Sequence, residues 1–228
     1  MSVKHFFITG TDTDAGKTFI AQSLLRCLNG AGHIAVGYKP ISAGCEQTPE
    51  GLRNEDALIL QQHSGIPLEY NEVNPIAFAP PVAPHLAAQE IGQLISLTQL
   101  QEGLTQLESY SPDVVLTEGA GGWRLPIDNN GTYLSAFAQA NQMEVILVVG
   151  VKLGCLNHAM LTLEAIKHDG LTVKGWVANQ IEPDMLYFQQ NVDSLQAMLH
   201  APCLGVVPRL SSPEACDTYL DIRPLVNT

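Results

Sequence analysis

The residues Thr11-Asp12-Thr13-Asp14-Ala15-Gly16-Lys17-Thr18 concentrate the chemistry of this chain. They follow the apolar run His5-Phe6-Phe7-Ile8-Thr9 and Gly10, and they precede a stretch in which Ile20, Leu24, Leu25 and Leu28 share one helical face. A helix that starts near Gly16 aims its free backbone N–H groups at the loop, where a phosphate can accept them. Lys17 then reaches the β and γ phosphates, and the Thr18 hydroxyl holds a magnesium ion. The usual spacing places a glycine five residues before Gly16, whereas this chain has Thr11 there and Gly10 one step earlier.

Further polar residues recur directly after apolar runs. Glu118 ends Val114-Val115-Leu116-Thr117, as an acid that holds magnesium at a strand tip would, and magnesium takes hard oxygen ligands. Gly119, Ala120, Gly121 and Gly122 follow and let a backbone approach a ligand; the bland alternative is a solvated acid in a glycine-rich turn. Lys39 precedes Pro40 and is biased towards an extended conformation that aims its ammonium into a crevice, though a lone lysine also suits a solvated surface. Asp56 follows Arg53-Asn54-Glu55 at a helix start, where an acid also complements the helix dipole. Asn157 and His158 open another helix, where Asn157 suits a cap. Asn179 and Pro208-Arg209 follow two later runs.

These positions make sense only if the runs are parallel strands. The pattern predicts strands over 5–9, 34–38, 113–117, 145–149, 173–178 and 204–207, and helices over 17–28, 56–62, 97–107, 134–140, 156–167 and 185–199. Near-continuous apolar strands such as Val145-Ile146-Leu147-Val148-Val149 suit a parallel sheet covered on both faces. The expected architecture is an α/β three-layer sandwich with a mostly parallel central sheet, of the P-loop NTPase type, formed by residues 1–228 as a single domain. Ligands of such sheets sit beyond the carboxyl ends of the strands, so all these residues would share one crevice. Pro75, Pro80, Pro81 and Pro84 read as a stiff loop.

Composition narrows the partners. With 228 residues, 46% of them hydrophobic, the chain can bury a substantial core. A net charge of -12, from 11 basic against 23 acidic residues, opposes nucleic acid and anionic membrane surfaces. Five scattered cysteines without a Cys-x-x-Cys pair suggest neither a zinc site nor a disulfide framework, and no secretory signal pattern or membrane-length apolar run is visible. The expectation is a cytoplasmic protein.

The chain resembles the dethiobiotin synthetases nearly end to end. The family pattern Gly-Thr-Asp-Thr-x-x-Gly-Lys-Thr appears as Gly10 to Thr18, and its glycine position accounts for Thr11. Gly37-Tyr38-Lys39-Pro40, Thr48-Pro49-Glu50-Gly51-Leu52-Arg53-Asn54 leading to Asp56, Glu118 to Trp123, Val148 to Thr162 and Gly175-Trp176-Val177-Ala178-Asn179 follow in order. The resemblance implies an ATP-dependent ligase of biotin biosynthesis. Its reaction takes 7,8-diaminononanoate and CO2 to a carbamate, phosphorylates the carbamate with ATP, and closes a ureido ring.

By the same resemblance Lys17, Lys39 and Thr13 are catalytic. Asp14, Ala15, Gly16, Lys17, Thr18, Asp56, Glu118, Gly119, Ala120 and Gly121 bind nucleotide and Mg2+, with Thr18, Asp56 and Glu118 as metal ligands. Asn179, Pro208, Arg209, Leu210 and Glu214 contact adenine. Ser42, Ala43, Gly121 and Asn157 contact the substrate, whose carboxylate lies at a helix start of the partner subunit, so a homodimer is implied. Two departures stand out: Ala43 occupies a position often Ser or Thr, with Ser42 expected to take over its contact, and Asp14 stands where a longer Glu is common.

Three rival readings share the phosphate loop. Amide-forming ligases with a related nucleotide domain carry a glutaminase domain, for which this chain leaves no room. Switch-type partitioning ATPases carry a lysine near the loop start, where Asp12 stands. GTPases read the base with Asn-Lys-x-Asp, whereas this chain has Asn179-Gln180-Ile181-Glu182.

Overall fold

Every long apolar run becomes a strand of one sheet. The computed structural model describes residues 3–210 and 212–227. In chain order the elements are β1 (Lys4–Gly10), α1 (Lys17–Gly30), β2 (Ala35–Tyr38), β3 (Ile41–Ser42), β4 (Glu46–Thr48), β5 (Gly51–Arg53), α2 (Glu55–His63), α3 (Tyr70–Val73), β6 (Ile76–Ala77), α4 (Pro84–Glu90) and α5 (Leu97–Ser109). They continue as β7 (Val114–Gly122), α6 (Ser135–Ala140), β8 (Glu144–Val151), α7 (Cys155–His168), β9 (Val173–Gln180), α8 (Phe188–Leu199), β10 (Cys203–Val207), a 3-10 turn (Pro213–Tyr219) and α9 (Arg223–Val226).

Six strands form a fully parallel sheet in the order β10-β9-β8-β1-β7-β2. Successive side chains of β8 serve opposite faces, as the pleat requires. Leu147, Val149 and Val151 pack with Ala159 and Leu163 of α7 and Val192 and Leu195 of α8, while Ile146 and Val148 join Ile20 and Leu24 of α1 in the larger cluster. Burial on both faces explains why β8 is apolar at every interior position.

The expected strands and long helices all form, with shifted ends. Met185 to Tyr187 lie outside α8, whose N-cap Tyr187 has φ 56°. Pro84 is not loop but begins α4, where its missing N–H costs nothing. The largest difference is at β7, which does not stop at Thr117. It runs on to Gly122, so Glu118 lies inside a strand and is fully buried. Gly119 permits this, because a Cβ there would meet the Phe7 ring at 2.9 Å. The pairs β3–β6 and β4–β5, α3, α4, the 3-10 turn and α9 have no counterpart in the sequence reading; they are too short to show periodicity.

Candidate functional site

The carboxyl ends of β1, β2, β7, β9 and β10 border two adjoining cavities that share Asp14 and Phe19. The first, about 580 Å³, is lined by Thr13, Gly16, Lys17, Thr18, Lys39, Ser42, Ala43, Asp56, Ala120, Gly121, Leu125 and the segment Pro81 to Pro84. That volume suits phosphates together with a small second substrate. The second, about 330 Å³, is lined by Phe19, Asn179, Gln180, Ile181, Pro208, Arg209 and Leu210. Its mixed walls, apolar at Phe19, Ile181, Pro208 and Leu210 and polar at Asn179, Gln180 and Arg209, suit a flat ring with polar edges.

Between β1 and α1 the loop is shaped by its backbone. Asp14 and Gly16 are left-handed at φ 60° and 88°, and Gly16 caps α1 without a side-chain bond, which leaves the first N–H groups of the helix free. A Cβ on Gly16 would overlap the Asn179 amide. That buried amide donates to the Ala15 carbonyl at 2.9 Å and ties the end of β9 to the loop. Asp12 points away from the phosphate side: it accepts from Thr13 N–H at 2.8 Å and pairs with Lys152 at 2.8 Å.

Opposite the loop, Lys39 is 3% exposed, so the solvated-surface reading of this lysine is overturned. Its Nζ lies 2.5 Å from Glu118 Oε1, 3.1 Å from Asp56 Oδ2 and 3.4 Å from the Gly119 carbonyl. Burial by itself would lower the Lys39 pKa, but Glu118 and Asp56 more than offset it and hold the ammonium above its usual value. The same pairing works on Asp56: burial opposes ionisation, Lys39, Thr18 and Lys17 together outweigh it, and the carboxyl sits below its usual range. Lys17 is also buried, and its pKa is depressed by desolvation first and by the nearby Lys39 second. Two cations thus face one cavity in an acidic protein.

Asp56 also has more to do than complement a helix dipole, since it pairs with Lys39 on the same wall of the crevice. Thr18 Oγ1 donates to Glu118 Oε1 at 2.8 Å, which leaves its lone pairs outward, and Glu118 Oε2 is buried without any partner. Among the described residues no group of three or more His, Cys, Asp or Glu side chains converges as a metal cage. Two carboxylates and a hydroxyl completed by phosphate and water are how Mg2+ is commonly bound, and the orphaned oxygen fits that ligand set.

Three expected residues are placed differently. Ser42 lines the cavity, but its hydroxyl proton goes to Asn74 Oδ1 at 2.7 Å, so it can meet a ligand only as an acceptor. Asn157 is no cap: Gly154 caps α7, and Asn157 is exposed in the first turn, away from both cavities of its own chain. Glu214 lies in the 3-10 turn, bonded to Ser212, and does not line the second cavity. Sequence reasoning missed Asn54, Tyr70 and Asn74, which form a buried hydrogen-bonded set behind Lys39. Their only signals were single Asn residues, one of them before Pro75, and such residues read as turns.

A strand, a glycine-bearing loop and a helix that opens with Lys17 and Thr18, under a parallel sheet with β1 at its centre, define a P-loop nucleotide-binding protein. Solved structures share that fold, among them the septum site-determining protein MinD with Mg-ADP from Pyrococcus horikoshii (TM-score 0.53, 16% identity, 100% of this chain and 90% of that one). Chloroplast FtsY from Physcomitrella patens is similar at TM-score 0.51 and 18% identity, over 100% of this chain and 65% of that one. Residues 4–215 match the family model described as an AAA domain. An ATP-dependent dethiobiotin synthetase from Aeromonas hydrophila is 50% identical over 98% of this chain and 100% of its own length. The corresponding protein of Alteromonas mediterranea is 52% identical over 93% and 95%. The chain belongs to the ATP-dependent dethiobiotin synthetase family, ligases of biotin biosynthesis. Among the described residues no helix is long and apolar enough to cross a membrane.

Proposed function

We propose that this protein is a dethiobiotin synthetase that acts as a single domain, with ATP and Mg2+ in the crevice described above. The observation that carries the reading is the buried Lys39 ammonium, set between Asp56 and Glu118 in the cavity that Lys17 also lines. A carbamate and a triphosphate are both anionic, so their approach needs fixed cations between them. Lys17 and Lys39 supply that charge in a dry setting, where it counts for more than in water.

In the proposed sequence one amine of 7,8-diaminononanoate takes up CO2 as a carbamate. A carbamate oxygen attacks the γ-phosphorus, the bond to ADP breaks, and a carbamic-phosphoric anhydride results. The second amine then attacks the carbonyl carbon, loses its proton, and expels inorganic phosphate as the ring closes. Lys39 lies where it can neutralise the oxygens of the transferred phosphoryl group, Thr13 and Gly121 border the path, and the free N–H groups at Gly16 to Thr18 hold the phosphates. Mg2+, held by Thr18, Asp56 and Glu118, would neutralise charge on the phosphate oxygens. Ser42, available only as an acceptor, suits an amine N–H of the diamine, and adenine fits the cavity between Asn179 and Leu210.

We assign the carboxylate of the substrate to the α7 start of a second copy, where no side chain caps the helix beside Asn157. Leu153 and Leu161 are 92% and 57% exposed on that element and its lead-in, which supports a homodimer contact there. The net charge of -12 disfavours nucleic-acid and anionic membrane partners, and a cytoplasmic location is part of the reading.

The test is ADP and dethiobiotin formation by purified protein with magnesium-ATP and bicarbonate, with and without the diamine. Stoichiometric product that requires the diamine is expected; ATP hydrolysis indifferent to it would overturn the proposal.

A further inference from the structure

Lys39 stands at a place the sheet does not control. β2 is the edge strand and its ladder with β7 ends at Tyr38, so nothing in the sheet fixes the next peptide. The last residue of α3 and the one after it do so instead. The Val73 carbonyl accepts the Lys39 N–H at 2.8 Å, and the Asn74 amide donates to the Lys39 carbonyl at 2.6 Å.

Asn74 is 3% exposed, and its side chain spends its whole hydrogen-bonding capacity. Nδ2 donates to the carbonyls of Lys39 and Ile76 (3.2 Å), and Oδ1 accepts from Ser42 Oγ (2.7 Å) and Tyr70 OH (2.9 Å). Tyr70 OH in turn accepts the Asn54 N–H at 2.8 Å. Asn54 caps α2 by accepting from Ala57 N–H at 3.2 Å, and the first turn of α2 carries Asp56. Asp56 closes the ring on the Lys39 ammonium.

We propose that Asn74 is a positioning residue for the ligase reaction: it sets the Lys39 ammonium against Asp56 and Glu118 and fixes the Ser42 hydroxyl as a hydrogen-bond acceptor towards the substrate. The two effects follow from one amide. Its NH2 group orients the peptide from which the lysine side chain departs, and its carbonyl draws the serine proton away from the cavity. A core asparagine that merely satisfied buried polar groups would not need to join both cavity-lining residues and the cap of the helix that carries Asp56. Misplacement of a charged group by an ångström can cost about a hundredfold in rate, so such a shell has kinetic weight.

The inference rests on the role of Lys39 proposed above, and a double-mutant cycle on kcat separates the two. Asn74→Ala is expected to lower kcat about thirtyfold, to raise KM for the diamine, and to leave KM for ATP within about twofold. In a Lys39→Gln background the same substitution is expected to change kcat by less than about twofold, because its effect on kcat acts through Lys39, while the rise in KM for the diamine, which acts through Ser42, persists. Equal losses in both backgrounds would mark Asn74 as structural only and overturn the proposal. If Asn74→Ala does not fold, Tyr70→Phe carries the same cycle, with an expected loss of about fivefold in the native background and none with Lys39→Gln; additive losses again overturn it. Should the native protein form no diamine-dependent product, the functional reading alone fails. The Lys39 signal in 13C-lysine NMR then decides: movement in Tyr70→Phe supports the positioning role, and an unmoved signal overturns it.

Discussion

The two walls of the cavity are built by opposite means. The phosphate loop is one contiguous segment, shaped by left-handed backbone at Asp14 and Gly16 and by the free N–H groups of α1, with Asn179 of β9 and Glu118 of β7 reaching in to its end. The Lys39 wall is assembled from β2, α2, the residue after α3, and β7, and side chains hold it together. The first wall depends on its backbone angles as well as on Lys17 and Thr18. The second depends on each buried polar partner, because an unsatisfied group in that setting costs about 1–3 kcal/mol.

Substitutions on the two walls should therefore fail differently. Lys39→Gln is expected to have the largest effect, a fall in kcat of about a hundredfold with KM for ATP little changed; turnover near that of the native protein would remove Lys39 from the mechanism. Gly16→Ala, on the backbone-shaped wall, should instead raise KM for ATP by about tenfold, since a side chain at φ 88° is strained and must displace the Asn179 amide. Steady-state kinetics with ATP varied would show whether the two substitutions separate in this way.

A pH experiment sharpens the contrast. The Asp56 carboxyl lies below its usual value of 3.8 in the folded protein, so its contribution to stability is present above pH 3.8 and is lost as pH falls through the lower folded value. Asp56→Asn should flatten the acid side of the thermal midpoint against pH, and an unaltered profile would contradict that pairing. The smallest effect is expected at Glu214, which lies apart from both cavities. Glu214→Gln should leave KM for ATP within about twofold, and a larger rise would bring the 3-10 turn back into the base site.

The same division explains what the sequence disclosed. The sheet, α1 and the phosphate loop were legible because their signals are local: apolar runs, a helical face, and Gly-Lys-Thr at a fixed offset. Lys17, Thr18 and Glu118 could be singled out without knowing which segments touch. Lys39 and Asp56 were visible as residues yet ambiguous, since the contact that gives each its meaning joins two segments. Asn74 carried no usable signal; its role exists only where β2, α3 and β6 meet. The run of β7 through Gly122 was missed for a related reason. Glycines read as a turn until the Phe7 ring that excludes a side chain is seen above them.

The sheet order also bears on how the protein emerges during synthesis. β1 is made early, yet it sits between β7 and β8, which begin only at Val114 and Glu144. Its apolar edges have no partners until then, and non-local parallel pairing of this kind is slow and leaves sticky surface uncovered. Ribosome-stalled chains that end before Glu144 should retain no ATP analogue in a filter assay, whereas chains extended past β9 should. The proposed phosphate loop, early in the sequence, is thus among the last parts to be set, and a growing chain is expected to gain nucleotide binding only when most of it has left the ribosome.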